Sequence, residues 1–371
     1  MTVSLCRPSL GKREEEAILS VLRSGHLVSG RCVTELERKL TERMGGKRVL
    51  AVSNGTAALH IALIAAGVRA GDEVIVPSLT YPAPVNVVEL VGATPVLVDV
   101  CLETACMDME QVKDKISDKT SAIMPVHQFG IPADMGALKA LVEGTDIKVI
   151  EDAACALGSL ADGEACGSIG HLGCFSFHPR KVITTGEGGA VVIGDDALYA
   201  AVDQLRNHGQ DVTLEPTERF VSSGYNLRMS DLHGGIGVVQ MDQLDDFIQS
   251  RRSLAKRYSE GFEDVQGITM LPGLMREGSV VQSLVARLDA TVDRESFFAA
   301  LRARGVEVTI ASYGIHRLPM WRDQVSPGAY PNAELWHEQG ITLPLFPRME
   351  KAEVDLVIEA VKDILRGVNE A

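Results

Sequence analysis

From Arg48 to about residue 200, the apolar positions fall into two alternating kinds of run. Short Val/Ile-rich blocks predict strands: RVLAVS (48–53), EVIVPS (73–78), TPVLVDV (94–100), SAIMPVH (121–127), IKVIED (147–152), CFSFH (174–178) and GAVVIGD (189–195). Between several of them, TAALHIALIAA (56–66), PVNVVELVG (84–92), DMEQVKDKI (108–116) and GALKALVEG (136–144) have helical composition. Strands separated by helices of about 10 residues predict βαβ units and a mostly parallel sheet. A parallel sheet is covered on both faces, so its strands need no polar alternation. After Leu227 the pattern turns helical, with a charged stretch over residues 245–256. ESFFAALRARG (295–305), VEVTIAS (306–312) and the amphipathic EVDLVIEAVKDILRG (353–367) then predict a smaller α/β domain. The expected division is a large domain over 1–245 and a small one over 246–371.

Composition narrows the class. A chain of 371 residues with 46% hydrophobic content can bury more than one core. A net charge of −14 argues against a nucleic-acid footprint, which needs clustered cations, so an anionic ligand has to be gathered locally. No apolar run approaches the roughly 18 residues of a membrane span, and the N-terminus carries no secretory pattern; the expected location is the cytoplasm. Seven cysteines without a Cys-x-x-Cys pair fit reduced thiols better than a disulfide framework or a zinc ribbon.

Three places can carry chemistry. In SNGTAALH (53–60) a strand end passes through Asn54-Gly55-Thr56 straight into a helix, whose free N–H groups and dipole favour an anion. The same residues also suit a plain turn with Thr56 as the helix cap. Asp152, after Glu151 at the end of an apolar strand, stands where open α/β sheets bind ligands. Its carboxylate can hold a cationic ring nitrogen or cap a following helix; no His/Asp set at recognisable spacing supports a metal. Lys181 lies in FSFHPRKVITTGEGGA (175–190), between a strand and Gly186, Gly188 and Gly189. A lysine so placed is a surface charge or, if buried, an amine able to form a Schiff base. A phosphate site, an acidic strand end and a lysine in one α/β domain are the anchors that a pyridoxal phosphate (PLP) enzyme requires.

The chain resembles the DegT/DnrJ/EryC1/StrS aminotransferases, sugar aminotransferases of PLP fold type I. The likeness rests on SNGTAALH, GDEVIVPSLTYPAPVNVV, GATPVLVDV, PVHQFGIPADM, IEDAACALGS, FSFHPRKVITTGEGGAVV, LRNHG, GYNLRMSDLHGGIGVVQ and ITLPLFPRMEKAEVDLVIEAV, in the family's order over nearly the whole chain. The resemblance implies that Lys181 is the Schiff-base lysine and proton shuttle and that Asp152 pairs with the pyridine nitrogen. It implies that Gly55, Thr56 and Ser176 contact the phosphate and that Tyr81 stacks on the cofactor ring. Asn226 would reach the phosphate of the neighbouring subunit, implying a homodimer with shared sites. Cys155 stands where many members carry His or Gln beside the cofactor's phenolic oxygen, and Val182 where many carry Asn. His127 and His316 are candidates for the mouth of the site, with His178 supporting the lysine loop and Arg228 the dimer or the loop bearing Asn226.

The implied reaction moves an amino group from L-glutamate to a keto sugar, foremost a nucleotide-linked 4-keto-6-deoxyhexose, for surface polysaccharide or natural-product synthesis. A 3-keto nucleotide sugar or a keto-cyclitol is the alternative acceptor. Some relatives that dehydrate sugars have His in place of the lysine, so transamination is expected over dehydration; a non-catalytic PLP-binding regulator is a further alternative.

Overall fold

The protein is described by a computed structural model covering residues 2–326 and 328–369. Seven strands form the central sheet: β1 (Arg48–Val52), β2 (Glu73–Pro77), β3 (Thr94–Val98), β4 (Thr120–Ile123), β5 (Lys148–Asp152), β6 (Leu172–Ser176) and β7 (Gly189–Ile193). Their spatial order is β1-β7-β6-β5-β4-β2-β3. β6, β5, β4, β2 and β3 run parallel, and β7 is antiparallel to both its neighbours, β6 and β1. The mostly parallel α/β sheet expected from the Val/Ile runs is therefore present. Along β7, Ala190 and Val192 enter one apolar cluster while Val191 and Ile193 enter the other, so both faces of the strand are buried.

Helices cover the two faces: α1 (Lys12–Ser24), α2 (Arg31–Arg43), α3 (Gly55–Ala65), α4 (Ala83–Leu90), α5 (Met109–Lys115), α6 (Met135–Val142), α7 (Tyr199–Arg206), α8 (Asp231–Met241) and α9 (Leu244–Phe262). α2 buries Val33, Leu36 and Leu40, one stripe at helical spacing, and packs on the glycine-rich α8. The approach is close: a Cβ on Gly234 would meet the Val33 nitrogen at 2.7 Å. The side chain of Asp231 at the start of α8 accepts the Gly30 and Val33 N–H groups, fixing the entry to α2.

C-terminal of α9 lies a second sheet, β8 (Ile268–Met270), β9 (Leu284–Leu288), β10 (Thr309–Ile310) and β11 (Gly340–Leu343), in the order β8-β9-β11-β10 with every pairing antiparallel. α10 (Arg294–Ala303), α11 (Pro331–Gln339) and α12 (Lys351–Asn369) complete this smaller α/β part. The strand expected over 306–312 is divided between two partners, and a third pairing follows directly after it. Val306 bridges the N-terminal Val3, Thr309–Ile310 form β10, and the next two residues, Tyr313–Gly314, pair with Leu79–Thr80 after β2. α9 begins at Leu244, and its Phe247, Leu254 and Tyr258 belong to a core cluster that spans both sheets. Among the described residues no helix is long and apolar enough to cross a membrane.

Candidate active site

The carboxyl ends of β1, β5 and β6 converge on one region, and each supplies a group. After β1, Asn54 is extended and caps α3: its Oδ1 accepts the Ala57 N–H at 2.8 Å. The cap is therefore Asn54 and not Thr56. The N–H groups of Gly55 and Thr56 take no hydrogen bond among the described residues and stand at the positive end of the helix dipole. β6 delivers Ser176 against the same turn, where a Cβ on Gly55 would lie 2.8 Å from the Ser176 Cβ. Glycine at 55 is what lets helix start and serine meet, and together they form a cradle of donors suited to phosphate.

Asp152 ends β5 and is only 6% exposed. Its Oδ1 accepts the Ala154 N–H at 3.0 Å, and its Oδ2 takes no hydrogen bond among the described residues. No helix follows it, so capping is not its role. Burial raises its pKa, against the Ala154 hydrogen bond and the charges of Lys181 and His127, which act to lower it. A buried carboxylate with one oxygen free is short of a cationic partner. A protonated ring nitrogen satisfies that requirement. Among the described residues no group of three or more His, Cys, Asp and Glu side chains could hold a metal.

Glu151 points to the other face of β5 and is fully buried. Its carboxylate accepts the N–H groups of Gly167, Ile169 and Gly170 and contacts His127 Nε2 at 2.8 Å. The Ala133 N–H donates to His127 Nδ1, which leaves Nε2 as the protonated nitrogen given to Glu151. His127 is thus sealed behind the strand ends at 0% exposure and does not reach a mouth of the site, correcting that expectation.

Lys181 follows β6 in a loop held at many points. Phe177 receives hydrogen bonds from Thr184 and Thr185, its own N–H goes to Gly188, and the Gln282 side chain holds the Arg180 carbonyl. Val182 is buried in the apolar cluster, so the side chain that departs from the family pattern packs the loop rather than lining the site. Lys181 itself is half-buried, and its Nζ donates to Cys155 Sγ at 3.3 Å. His178 is exposed, and its Nδ1 accepts the Arg180 N–H within the same loop.

The remaining candidates lie further out. Tyr81 is 66% exposed and meets Tyr313 edge-on, ring centroids 6.1 Å apart, at the junction of Leu79–Thr80 with Tyr313–Gly314. Sequence reasoning missed Tyr313, because a two-residue pairing between distant segments leaves no local signal. His316 is 7% exposed beside Tyr330, with both ring nitrogens unpartnered and its pKa lowered by burial. Asn226 is exposed, in a segment that pairs with Asn207 and passes the end of β1, and no hydrogen bond among the described residues joins it to Lys181 or Ser176. Arg228 Nη1 donates to Asn207 Oδ1 and steadies that segment.

Known proteins are similar to this chain in sequence and fold. Residues 8–362 match the model of the DegT/DnrJ/EryC1/StrS aminotransferase family. A GDP-perosamine synthase of Escherichia coli O157:H7 is 35% identical over 363 residues, 97% of this chain and 98% of that protein. The putative sugar aminotransferase Spr1654 of Streptococcus pneumoniae in its PMP form superposes with a TM-score of 0.93 at 29% identity, covering 100% of this chain and 99% of that one. The E. coli GDP-4-keto-6-deoxy-D-mannose-3-dehydratase gives 0.90 at 25% identity, covering 98% and 100%. With a lysine, a cation-seeking carboxylate and a phosphate cradle at the same strand ends, the chain belongs to the DegT/DnrJ/EryC1/StrS family and is a pyridoxal-phosphate-dependent aminotransferase of the sugar aminotransferase type.

Proposed function

We propose that the protein moves the amino group of L-glutamate onto the keto carbon of a nucleotide-linked sugar, foremost a 4-keto-6-deoxyhexose. The observation that carries this reading is the Asp152–Lys181–Cys155 grouping facing the Gly55–Ser176 cradle. The relative named GDP-perosamine synthase favours a nucleotide-sugar acceptor and makes GDP the first nucleotide to test.

PLP, when bound, supplies an aldehyde for the amine and an electron-withdrawing ring. In this reading the chain's own groups divide the work. The Gly55 and Thr56 N–H groups and Ser176 Oγ would bind its phosphate, Asp152 would hold the ring nitrogen, Tyr81 would cover a ring face and Cys155 would serve the phenolic-oxygen side. Lys181 would hold the aldehyde and, as the free amine, would move the proton at the donor's α-carbon. A lysine at 181, the residue an aminotransferase needs as its amine, favours amination over dehydration.

The same reading includes a homodimer. Leu19, Leu22, Leu27, Val28, Val212 and Phe220 are exposed apolar side chains on α1 and on loops beside α8 and Asn226. A partner covering them would bring Asn226 to the neighbouring phosphate. His316, 7% exposed and with both ring nitrogens buried, does not reach the acceptor side as the site stands. Seven unpaired thiols agree with a cytoplasmic location.

The test is to load the protein with PLP, add L-glutamate, and then offer GDP-, UDP- and dTDP-linked keto sugars beside a keto-cyclitol. Mass spectrometry should find 2-oxoglutarate first and then one nucleotide sugar carrying a new amine. Amination of the cyclitol alone would overturn the substrate class.

A further inference from the structure

The contact between Lys181 Nζ and Cys155 Sγ at 3.3 Å sets an amine nucleophile against a thiol with nothing between them. Both side chains are half-buried, open enough for a small oxidant, whereas Cys106, Cys166 and Cys174 are buried. No other thiol is bonded to Cys155, since all seven cysteines are free, and its recorded polar partner is the lysine. Thr184, Gln282 and Cys6 pin the backbone carbonyls of Phe177, Arg180 and Pro179, so the loop that carries the lysine is fixed beside Cys155.

We propose that Cys155 and Lys181 form an oxidative modification site, in which the oxidised thiol is captured by the ε-amine as a reversible sulfur–nitrogen cross-link. The reaction deepens the functional reading only in taking Lys181 as the amine that otherwise holds the cofactor.

Hydrogen peroxide, the oxidant, takes the thiol to a sulfenic acid: the O–O bond breaks, an S–O bond forms, sulfur gives up an electron pair, and the departing hydroxide takes the thiol's proton and leaves as one water. The Lys181 nitrogen lone pair then attacks sulfur. An S–N bond forms, the S–O bond breaks, and hydroxide departs with the amine's proton as a second water. The protein loses two hydrogen atoms in all. A dithiol reverses the step: one thiolate attacks the sulfur and releases the amine, and the second closes the reductant's own disulfide and frees Cys155. The capture spares the thiol from irreversible sulfinic and sulfonic acids, and PLP on Lys181 blocks it by occupying the amine.

The experiment treats protein stripped of PLP with equimolar hydrogen peroxide, caps free thiols, cleaves after acidic residues and maps the peptides by mass spectrometry. Expected is a Cys155–Lys181 peptide pair lighter by two hydrogens than its parts, lost on adding dithiothreitol and absent from Cys155→Ser and Lys181→Ala. Cys155 recovered as sulfinic or sulfonic acid beside a free Lys181, or in a disulfide, would overturn the proposal. Cross-linking undiminished by PLP would uphold the pair and count instead against Lys181 as the cofactor's amine.

Discussion

At the scale of single residues, Asp152 makes the sharpest demand, because a buried carboxylate lacking a cation works against the free chain and for the bound one. With its pKa raised in the fold, the native state binds the proton more tightly than the unfolded state does, so stability falls as pH rises from the ordinary value of 3.8 through the raised one. Asp152→Asn keeps the acceptor for Ala154 and removes the charge. Cofactor-free Asp152→Asn is therefore expected to melt above the cofactor-free parent at pH 7, while its gain in melting temperature on adding PLP shrinks. Turnover should fall by about two to three orders of magnitude, the scale of losing one partner of a buried ion pair. Thermal scans with and without PLP, and initial rates, check both. Gly55→Ala drives a Cβ to 2.8 Å from the Ser176 Cβ and should weaken PLP binding and cost about 1–3 kcal/mol of stability, read by PLP titration and urea unfolding.

At the scale of elements, β5 presents Asp152 to the site and Glu151 to the opposite side, where three backbone N–H groups and His127 converge. Burial pushes the Glu151 pKa up, but the His127 hydrogen bond and charge and the backbone donors outweigh it and hold the pKa below 4.5. A lowered carboxyl contributes stability that is present above 4.5 and is lost as pH falls through the folded value. Glu151→Gln should lower stability at pH 7 by about 3–5 kcal/mol and flatten the acid side of the stability profile, measured by urea unfolding between pH 7 and 3. The strand that carries these groups was legible because Val and Ile fill both faces of a parallel sheet and the chain returns through helices of regular length. The site motifs were legible for a related reason: Gly55, Asp152, Ser176 and Lys181 all stand at strand ends, where a short local pattern records the geometry. His127 and His316 were not placed by that logic. Their surroundings come from Ala133, Glu151 and Tyr330, distant pairings with no imprint on the neighbouring residues. VEVTIAS failed likewise, since Val306 goes to Val3 while only Thr309–Ile310 pair with the strand at Thr342 and Ile341.

At the scale of the whole molecule, one core cluster runs from the central sheet through α9 into the second sheet, so the two parts are joined by packing as well as by the chain. What the chain leaves uncovered is the apolar surface around α1 and the loops near Asn226. If a partner subunit covers it and lends Asn226, two defective variants should rescue each other. Lys181→Ala mixed with Asn226→Ala is expected to regain up to about a quarter of native activity after subunit exchange, because half of the assemblies are mixed and each carries one intact site. Sedimentation should give a dimer for both variants.

The account turns on Lys181 holding PLP, and the visible absorption spectrum reads that bond directly. Protein reconstituted with PLP should show a visible band that bleaches on adding L-glutamate while 2-oxoglutarate appears, and the band should be absent from Lys181→Ala. A colourless reconstituted protein, or the same glutamate-sensitive band in Lys181→Ala, would contradict it.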